Sequence, residues 1–357
     1  MKKILFICPY PLKVAAGQRL KFEPHFTALK EYGYEVHVHS FMNLKLWNIV
    51  SKRGHTIQKI FWTFCGLLRR VFLALSLKKY DCVYIFMNVF PFGPPILEKI
   101  YISMSQKVIF DIEDDILTNE SGSINWLASI LKSKNKAKYL ISNADHIIAS
   151  SPDLAKKCNA ISQKKNAIFI PPTLESNRFK PKSLINSESK KTVIGWTGTF
   201  SSREYLDLVI PKLEKLAKIK NFKLLIIGNF KMQNKNIDLE VVQWNQRDEI
   251  KQLHNIDIGL YPLPKNDWVS GKSGLKALQY MAIGIVPVCT AVGNVLNFIE
   301  HGKDGILIYN DEWIDCLSQL LDDVQQRKLI GENAREKFIQ CFSQEMIFKK
   351  YLSVIGE

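Results

Sequence analysis

Short apolar runs separated by helical stretches recur along almost the whole chain. Strands that alternate with helices are typical of parallel sheets, because parallel strands need long crossover connections that cover both faces of the sheet. Pro171-Pro172 and the polar, serine-containing segment 175–191 then interrupt the pattern and predict a linker. In the first half the predicted strands are Ile4–Cys8, Val36–Phe41, Cys82–Phe86, Val108–Phe110, His146–Ala149 and Ala167–Ile170.

The same alternation restarts after the linker, so the fold class predicted is α/β with two doubly wound, Rossmann-like domains. In such sheets ligands bind outside the carboxyl ends of the strands. Two domains that face each other would therefore hold a ligand in the cleft between them. The predicted strands of the second half are Val193–Trp196, Phe222–Gly228, Leu239–Trp244, Ile258–Pro262, Val286–Cys289 and Gly305–Ile308.

The composition of the chain indicates which classes of partner it binds and in which cellular compartment it works. The 357 residues allow about two domains, and 46% hydrophobic content is ordinary for a globular protein. The 49 Lys and Arg against 34 Asp and Glu leave a formal charge of +15, which indicates an anionic partner such as a phosphate ligand, a membrane surface or nucleic acid. The seven cysteines lack zinc-ligand spacing and resemble small buried hydrophobes. The chain begins with a strand rather than a signal peptide, so we expect a cytoplasmic protein.

The segment 271–284 is the most informative single stretch. It follows the apolar run 257–262 and predicts a loop of small and basic residues that leads into a helix. Backbone N–H groups at the start of such a helix, here near Ser273 and Gly274, are available to an anion. The pattern therefore favours a phosphorylated ligand. The alternative is an ordinary turn that packs a helix on a sheet.

This segment also resembles the donor-binding segment of retaining nucleotide-sugar glycosyltransferases of family 4. Those enzymes carry a Glu, seven residues and a second Glu there, with Gly-Leu between them. Gly274 and Leu275 match, whereas Gly271 and Gln279 replace the two glutamates. The resemblance implies that Gln279 accepts hydrogen bonds from a ribose, while Gly271 offers only its backbone to the sugar.

The resemblance extends over nearly the whole chain and implies the GT-B fold. It predicts an acceptor domain at 1–174, a linker at 175–191, a nucleotide-sugar-binding domain at 192–342 and a helix at 343–357 that returns to the first domain. The matching pieces are Pro9-Tyr10-Pro11, Gly17-Gln18-Arg19, Ile170-Pro171-Pro172, Gly195-Trp196-Thr197-Gly198, Gly293, His301-Gly302 and Gly305.

Two further loops carry candidate donor-binding residues. Gly17 precedes a helical pattern and would let the backbone approach a diphosphate, whereas Arg19 is either a cation for that ligand or a solvated residue. Gly198 opens the loop that leads to Arg203. The resemblance implies that Arg203 and Lys272 contact the donor diphosphate, where they would stabilise the charge that builds up as the sugar–phosphate bond breaks.

Four carboxylates stand close together at 111–115, after a predicted strand. One interpretation gives Asp114 a catalytic role in orienting an acceptor, with Asp111 and Asp115 as acceptor-binding residues. A second is a metal site of the GT-A type, which twin Rossmann-like halves disfavour. A third is that the carboxylates cap the next helix and pair with lysines.

The region 36–80 contains no Asp or Glu but eight Lys and Arg. Its apolar part, 57–77, resembles a membrane span, yet Arg69 and Arg70 would each cost about 2.5–3.5 kcal/mol at the bilayer centre. Two interpretations stay open. The segment is either a helix lying in the headgroup region of an anionic membrane, or a core helix with Arg69 and Arg70 at its wet edge.

The function predicted is a cytoplasmic glycosyltransferase, peripheral at the inner face of the membrane, in bacterial-type surface polysaccharide or glycoconjugate synthesis. It would move a hexose from a nucleotide diphosphate donor to a glycan or lipid-linked acceptor with retention, and we expect neither a cofactor nor a metal. The alternatives are a catalytically silent sugar-nucleotide-binding protein and a nucleic-acid-binding protein. The latter is disfavoured because aromatic residues are not interleaved with Lys and Arg.

Overall fold

The structure is a computed structural model that describes residues 1–113, 115, 117, 134–181 and 191–356. It divides into two compact units. The first consists of Met1–Thr173, Ser270–Ser273 and Gln344–Glu357, and the second of Leu174–Val269 and Gly274–Ser343. Each unit is built around its own parallel sheet.

The sheet of the first unit has the strand order β2-β1-β3-β4-β5-β6. All neighbouring pairs are parallel, from the full-length pairing of β1 with β2 to the short pairing of β5 with β6. The chain leaves β1 towards β2 on one side and resumes at β3 on the other, so the topological switch point lies between β1 and β3. The strands are β1 Lys2–Cys8, β2 Tyr34–Ser40, β3 Cys82–Phe86, β4 Val108–Ile112, β5 His146–Ala149 and β6 Ala167–Phe169.

Helices cover both faces of this sheet, because the strands are buried on both sides and supply two separate hydrophobic cores. The C-terminal helix contributes Ile347, Tyr351 and Ile355 to the core that contains Ile4 and Phe6 of β1. The helices of this unit are α1 Ala16–Arg19, α2 Phe26–Glu31, α3 Leu44–Val50, α4 Thr56–Ala74, α5 Ile96–Met104, α6 Lys134–Asn143 and α7 Pro152–Ile161, together with α14 Gln344–Gly356, and short 3-10 turns occupy Glu23–His25 and Leu77–Lys79.

One interpretation of the sequence placed Arg69 and Arg70 at the wet edge of a core helix, and the structure of α4 contradicts it for Arg70. Arg69 is exposed, but Arg70 is only 2% exposed and does not lie at a wet edge. Its guanidinium donates to the backbone carbonyls of Cys8 at 2.8 Å, His39 at 2.8 Å and Val89 at 3.1 Å. A guanidinium has five donors in a planar fork, and here it donates to carbonyls at or just beyond the carboxyl ends of β1, β2 and β3.

The sheet of the second unit has the order β12-β11-β10-β7-β8-β9. Its core combines the strands with one face of the surrounding helices. The strands are β7 Val193–Gly198, β8 Lys223–Gly228, β9 Leu239–Gln243, β10 Ile258–Tyr261, β11 Val286–Thr290 and β12 Ile306–Ile308. The helices are α8 Arg203–Asp207, α9 Ile210–Ala217, α10 Glu249–Leu253, α11 Leu275–Ala282, α12 Trp313–Asp322 and α13 Val324–Phe342, with 3-10 turns at Phe200–Ser202, Asp267–Gly271 and Gly293–Asn297.

The prediction of twelve strands in two parallel sheets is confirmed, and no observed end differs from the predicted one by more than two residues. The C-terminal helix begins at Gln344 rather than Ser343, which forms an isolated bridge with Leu174. The cysteines follow the prediction only in part. Cys8, Cys82, Cys158 and Cys289 are buried, Cys65 and Cys316 are half-buried, and Cys341 is exposed.

Candidate functional site

The strand order places the candidate site of the second unit at the carboxyl ends of β7 and β10. The chain runs outwards from β7 through β8 and β9, then returns to β10 on the other side of β7. The connections that leave β7 and β10 therefore diverge to opposite faces, which opens a crevice at this point of the sheet. These two connections are the loops that contain Arg203 and Lys272, the donor-binding candidates predicted from the sequence.

The loop after β7 is held by its own hydroxyl groups. Thr199 and Ser202 form a reciprocal capping box around the 3-10 turn Phe200–Ser202, and the Phe200 N–H donates to Asn229 Oδ1 at 2.7 Å. Ser202 stands at the N-cap position of α8, but its hydroxyl interacts with Thr199 instead of capping the helix. Arg203 is thus the first residue of a helix whose approach is fixed by side-chain hydrogen bonds.

The loop after β10 ends in the N-terminus of α11. Gly274 is the N-cap, with a φ of 80°, and a Cβ atom there would lie 2.8 Å from the ring of Phe298. Only glycine accommodates both the left-handed backbone and the close approach. No side chain within the described part of the chain caps this end. Since a helix begins with backbone N–H groups that have no partner within the helix, the start of α11 at Leu275 suits an anion.

An aromatic platform, formed by Trp196, Phe230 and Tyr261, carries two cations in this unit. The Arg203 guanidinium lies 5.6 Å from the Phe230 ring centroid. The Lys276 ammonium lies 4.4 Å from the Trp196 ring and 5.9 Å from the Tyr261 ring. Trp196 and Phe230 themselves meet edge to face at 6.0 Å, so the two cations rest on adjoining rings. Aromatic faces hold cations without neutralising their charge.

Gly198 is required by this platform. A Cβ atom at Gly198 would lie 2.2 Å from the Trp196 ring and 2.6 Å from the Ser202 hydroxyl. The absence of a side chain therefore lets the loop fold over the indole on which Lys276 rests. The role predicted for Gly198 as a direct donor contact stays a prediction, and its observed role is to shape the loop.

Lys276 is the residue that sequence reasoning missed. Lys272, the lysine predicted from the sequence, groups with the first unit, whereas Arg203 and Lys276 belong to the second. Lys276 also approaches the Ser202 hydroxyl at 3.5 Å, so it connects the two loops at the switch point. Its position in the first turn of the predicted helix was the available signal, because cations there face an anion bound at the helix start. The diphosphate contact of Lys272 stays a prediction.

Gln279 is 6% exposed and belongs to a polar chain inside the second unit. Its amide nitrogen donates to Glu249 Oε1 at 3.4 Å, and Glu249 Oε2 accepts from Arg178 at 2.9 Å. Glu249 itself is 5% exposed. A carboxylate thus stands next to the position at which family 4 enzymes have their second glutamate. The amide orientation directs the Gln279 carbonyl away from Glu249, which is compatible with accepting a hydroxyl hydrogen.

The short segment Ser270–Ser273 groups with the first unit. The Ser150 hydroxyl donates to the Gly271 carbonyl at 3.0 Å, and the Ser151 hydroxyl donates to the Ser270 carbonyl at 2.7 Å. A Cβ atom at Gly271 would lie 2.5 Å from the Asp115 backbone nitrogen. Gly271 is thus required here, because a glutamate at this position would collide with backbone. Lys272 and Ser273 follow it and are half-buried.

Asp111 is fully buried at the carboxyl end of β4. One carboxylate oxygen forms an ion pair with Lys21 and the other accepts from the Tyr84 hydroxyl. Burial raises the pKa of Asp111 above its usual value, and the Lys21 ammonium opposes that rise. Both oxygens are engaged inside the first unit, so in this structure Asp111 presents no open face to an acceptor.

Asp115 is also fully buried and forms an ion pair with Lys157, while Asp114 lies outside the described residues. The Leu117 N–H donates to the second Asp115 oxygen at 3.2 Å. Lys157 also reaches the Ser270 hydroxyl at 3.1 Å, so the acidic end of β4 helps to hold the segment Ser270–Ser273. Among the described residues no group of three or more His, Cys, Asp and Glu is arranged to hold a metal ion. The acceptor roles stay predictions.

The loop after β1 is pre-arranged by a buried amide. Gln18 accepts from the Tyr10 N–H at 2.9 Å and donates to the Tyr10 carbonyl at 3.0 Å. A Cβ atom at Gly17 would lie 2.4 Å from a carboxylate oxygen of Glu113. Arg19 is 7% exposed and is therefore not a solvated surface residue. Gly17 is half-buried beside the Glu113 carboxylate, and its donor contact stays a prediction.

Comparisons with known proteins indicate the class of protein that this chain resembles. Residues 177–337 match a protein family described as "Glycosyl transferases group 1". The chain is 27% identical over 180 residues to N-acetyl-alpha-D-glucosaminyl L-malate synthase of Bacillus anthracis. This alignment covers 47% of this chain and 46% of that protein. The chain spans about half the length of the curated relatives it matches. These similarities support the glycosyltransferase class of enzyme.

Solved structures match over the whole chain. Sucrose-phosphate synthase from Thermosynechococcus elongatus superposes with a TM-score of 0.71 at 14% identity, covering 99% of this chain and 98% of that chain. Anabaena HepE in complex with UDP-glucose superposes with a TM-score of 0.67 at 14% identity, covering 100% of both chains. The predicted fold class, GT-B with two Rossmann-like units, is confirmed.

Proposed function

We propose that this protein is a retaining glycosyltransferase that moves a hexose from a nucleoside diphosphate donor to a hydroxyl group of a glycan or lipid-linked acceptor, in surface polysaccharide or glycoconjugate synthesis. The observation that carries the proposal is the pair of cations on the aromatic platform. Arg203 and Lys276 rest on adjoining rings at the switch point, where the uncapped start of α11 also lies. A diphosphate would interact with all three groups at once.

The cations would act on the leaving group. As the bond between the anomeric carbon and the phosphate oxygen breaks, negative charge builds up on that oxygen. Arg203 and Lys276 would stabilise this charge together with the amides of α11, and Lys272 is a third candidate. Loss of one such contact costs about 10²–10³-fold in turnover when the contact is made mainly in the transition state.

Gln279 would bind the nucleoside through its carbonyl oxygen. Its amide nitrogen donates to Glu249, so the carbonyl is the group left to accept from a ribose hydroxyl. HepE, a structure with the same fold, holds UDP-glucose. Uridine diphosphate sugars are therefore the first donor class to test.

Retention follows from departure and attack on the same face of the sugar. The acceptor oxygen would form the new bond to the anomeric carbon while the bond to the diphosphate breaks. The released phosphate oxygen would take the proton of the acceptor hydroxyl, so charge and atoms balance without a protein nucleophile. Neither a metal nor a further cofactor has a role in this proposal.

A catalytically silent nucleotide-sugar-binding protein is the second candidate, and one observation favours it. Gly271 stands where family 4 enzymes place the first glutamate, and its Cβ position is occupied by the backbone of Asp115. No side chain at that position can contact the transferred sugar. This candidate predicts nucleotide binding without transfer or donor hydrolysis.

A thermal-shift panel of nucleotides and nucleotide sugars, followed by release of nucleoside diphosphate in the presence of glycan and lipid acceptors, tests both candidates. A ligand at 100 times its dissociation constant should stabilise the protein by about 2.7 kcal/mol. Arg203→Ala and Lys276→Ala should each lower turnover by about 10²–10³-fold. Lys215→Ala, an exposed lysine of the same unit, is the matched control.

The outcomes separate the two candidates. Binding with turnover that depends on Arg203 and Lys276 supports the transferase. Binding that both substitutions weaken, with no turnover in any acceptor extract, favours the silent protein. Wild-type behaviour of both variants would remove the diphosphate assignment.

A further inference from the structure

Helix α4 exposes an unusual amount of apolar surface. Eight large apolar side chains recur every three or four residues along it and its C-terminal flank, and at 3.6 residues per turn they share one face. This face is called the α4 apolar face below. Its members and their exposed fractions are Ile57 85%, Ile60 65%, Phe61 55%, Phe64 55%, Leu68 39%, Val71 44%, Phe72 66% and Leu75 77%.

The opposite face of α4 is tightly anchored. Gly66, Arg70 and Leu73 are buried there, and a Cβ atom at Gly66 would lie 2.7 Å from the Phe41 ring. Arg70 adds three hydrogen bonds to backbone carbonyls. The helix therefore cannot rotate to bury its apolar face without losing these contacts, and the exposure of the face is a fixed feature of the first unit.

The charged residues of the chain segment that contains the α4 apolar face have one sign. The region 36–80 contains no Asp or Glu. Exposed Lys52 and Arg53 precede the helix, exposed Lys78 and Lys79 follow it, and exposed Lys45 lies over the Trp62 ring at 5.1 Å. Cations thus stand at both ends of an apolar strip about 28 Å long, estimated from 1.5 Å per residue. An anionic bilayer presents apolar tails and negative headgroups together, which matches an apolar strip with cations at both ends.

We propose that the α4 apolar face lies in the headgroup region of an anionic membrane, with its aromatic and aliphatic side chains in the acyl boundary and the flanking cations on the lipid phosphates. The helix would lie in the plane of the surface. No helix within the described ranges is both long and apolar enough to cross a bilayer. The proposal goes beyond glycosyl transfer and does not depend on it.

Vesicle flotation tests the proposal. The purified full chain is mixed with phosphatidylcholine vesicles that contain phosphatidylglycerol, and with vesicles of phosphatidylcholine alone. We expect strong binding to the anionic vesicles, weaker binding to the neutral ones and a decrease with salt. The triple variant Phe61→Ser/Phe64→Ser/Phe72→Ser should weaken binding to anionic vesicles by about tenfold or more.

Two further variants keep the result interpretable. Lys52→Glu/Arg53→Glu lies outside the helix and should reduce binding to anionic vesicles while leaving residual binding to neutral vesicles unchanged. Ile219→Ser/Leu329→Ser removes exposed apolar side chains of the second unit and should bind as the wild type does. Far-UV circular dichroism of every variant checks that the fold is retained.

Three outcomes would overturn the proposal. They are failure of the wild type to bind anionic vesicles, unchanged binding of the triple variant, and a wild-type dimer in sedimentation velocity that the triple variant dissociates while vesicle binding is absent. The last outcome would assign the face to a second copy of this chain.

Discussion

The two units place charged side chains differently at the ends of their strands. In the first unit Lys21 is 2% exposed and is paired with Asp111, and Arg70 is buried against three carbonyls. In the second unit the Arg203 side chain is 38% exposed, lies over an aromatic ring and forms an ion pair with Asp207 at 3.7 Å, and half-buried Lys276 lies over the Trp196 ring. A buried charge that is paired or fully hydrogen-bonded holds structure together, whereas a partly exposed cation on an aromatic face can still be approached from solvent. The two sheets thus place the same residue types in different surroundings, buried in the first unit and partly exposed in the second.

The largest expected effect tests the buried pair of the first unit. Lys21→Met removes the cation that faces Asp111 and leaves a buried carboxylate without its ion pair, so we expect a loss of about 3–5 kcal/mol in the free energy of unfolding. Urea denaturation of the full chain measures this loss in the free energy of unfolding. The double variant Lys21→Met/Asp111→Leu should recover much of the loss. A loss below about 1 kcal/mol in the single variant would contradict the structural role of the pair.

The second prediction concerns Gln279 and Glu249 in the second unit. Gln279→Glu introduces the glutamate that family 4 enzymes carry at the matching position but places two carboxylates in contact, so we expect a loss of about 2 kcal/mol in the free energy of unfolding at pH 8 and less at pH 5. Thermal and urea unfolding measure it. Adding Glu249→Gln should restore stability, because one carboxylate and one amide are again paired. Full stability of Gln279→Glu alone would show that Glu249 does not explain the missing glutamate.

The third prediction uses His25 of the first unit, which donates to or accepts from the Thr173 hydroxyl at 2.9 Å and packs on Phe348 and Tyr351. Burial lowers the pKa of His25 from 6.5 to about 3. Below pH 6.5 the unfolded chain binds a proton that the folded protein does not, so stability is lost as the pH falls from about 6.5 towards 3. Between pH 7.5 and 5.5 the loss should be about 1.4 kcal/mol.

The control for this prediction is His25→Gln, which keeps a polar partner for Thr173 but does not titrate. Urea unfolding of both proteins at the two pH values gives the difference. An equal pH dependence in the variant and the wild type would contradict the assignment to His25.

The smallest expected effect comes from a surface ion pair of the second unit. Lys212 and Asp311 interact with side-chain exposures of 29% and 60%. Solvent screens such pairs, so Lys212→Ala should cost less than about 1 kcal/mol. Thermal unfolding at low and high salt measures it. A loss as large as that of Lys21→Met would remove the contrast between the two units.

Much of the fold was predictable because the hydrophobic periodicity of a strand or helix is visible within a short stretch of sequence. The runs that became β3 and β5 were predicted to the residue, since a buried strand is a continuous apolar run between polar turns. The N-terminus of α11 at Gly274 was predictable for the same reason. The glycine and the following apolar pattern stand side by side in the chain.

The site was less predictable, because its contacts join residues far apart in sequence. Lys276 contacts Trp196 and Gln279 contacts Glu249, and no sequence pattern near these residues indicates either contact. Asp111 was predicted as an acceptor-binding residue from its place after a strand. The strand in fact continues to Ile112, so Asp111 lies inside the sheet, where Lys21 and Tyr84 reach it.

The amino-acid sequence by itself determined two parallel α/β sheets, the loops at their switch points and an excess of positive charge, because hydrophobic periodicity and net charge are local or additive properties. Only the tertiary structure decided which cations are buried and which rest on aromatic rings, why glycine occupies position 271, and that α4 turns its apolar face outwards. These features depend on how side chains from separate elements pack against one another, and packing is a property of the whole unit rather than of any segment.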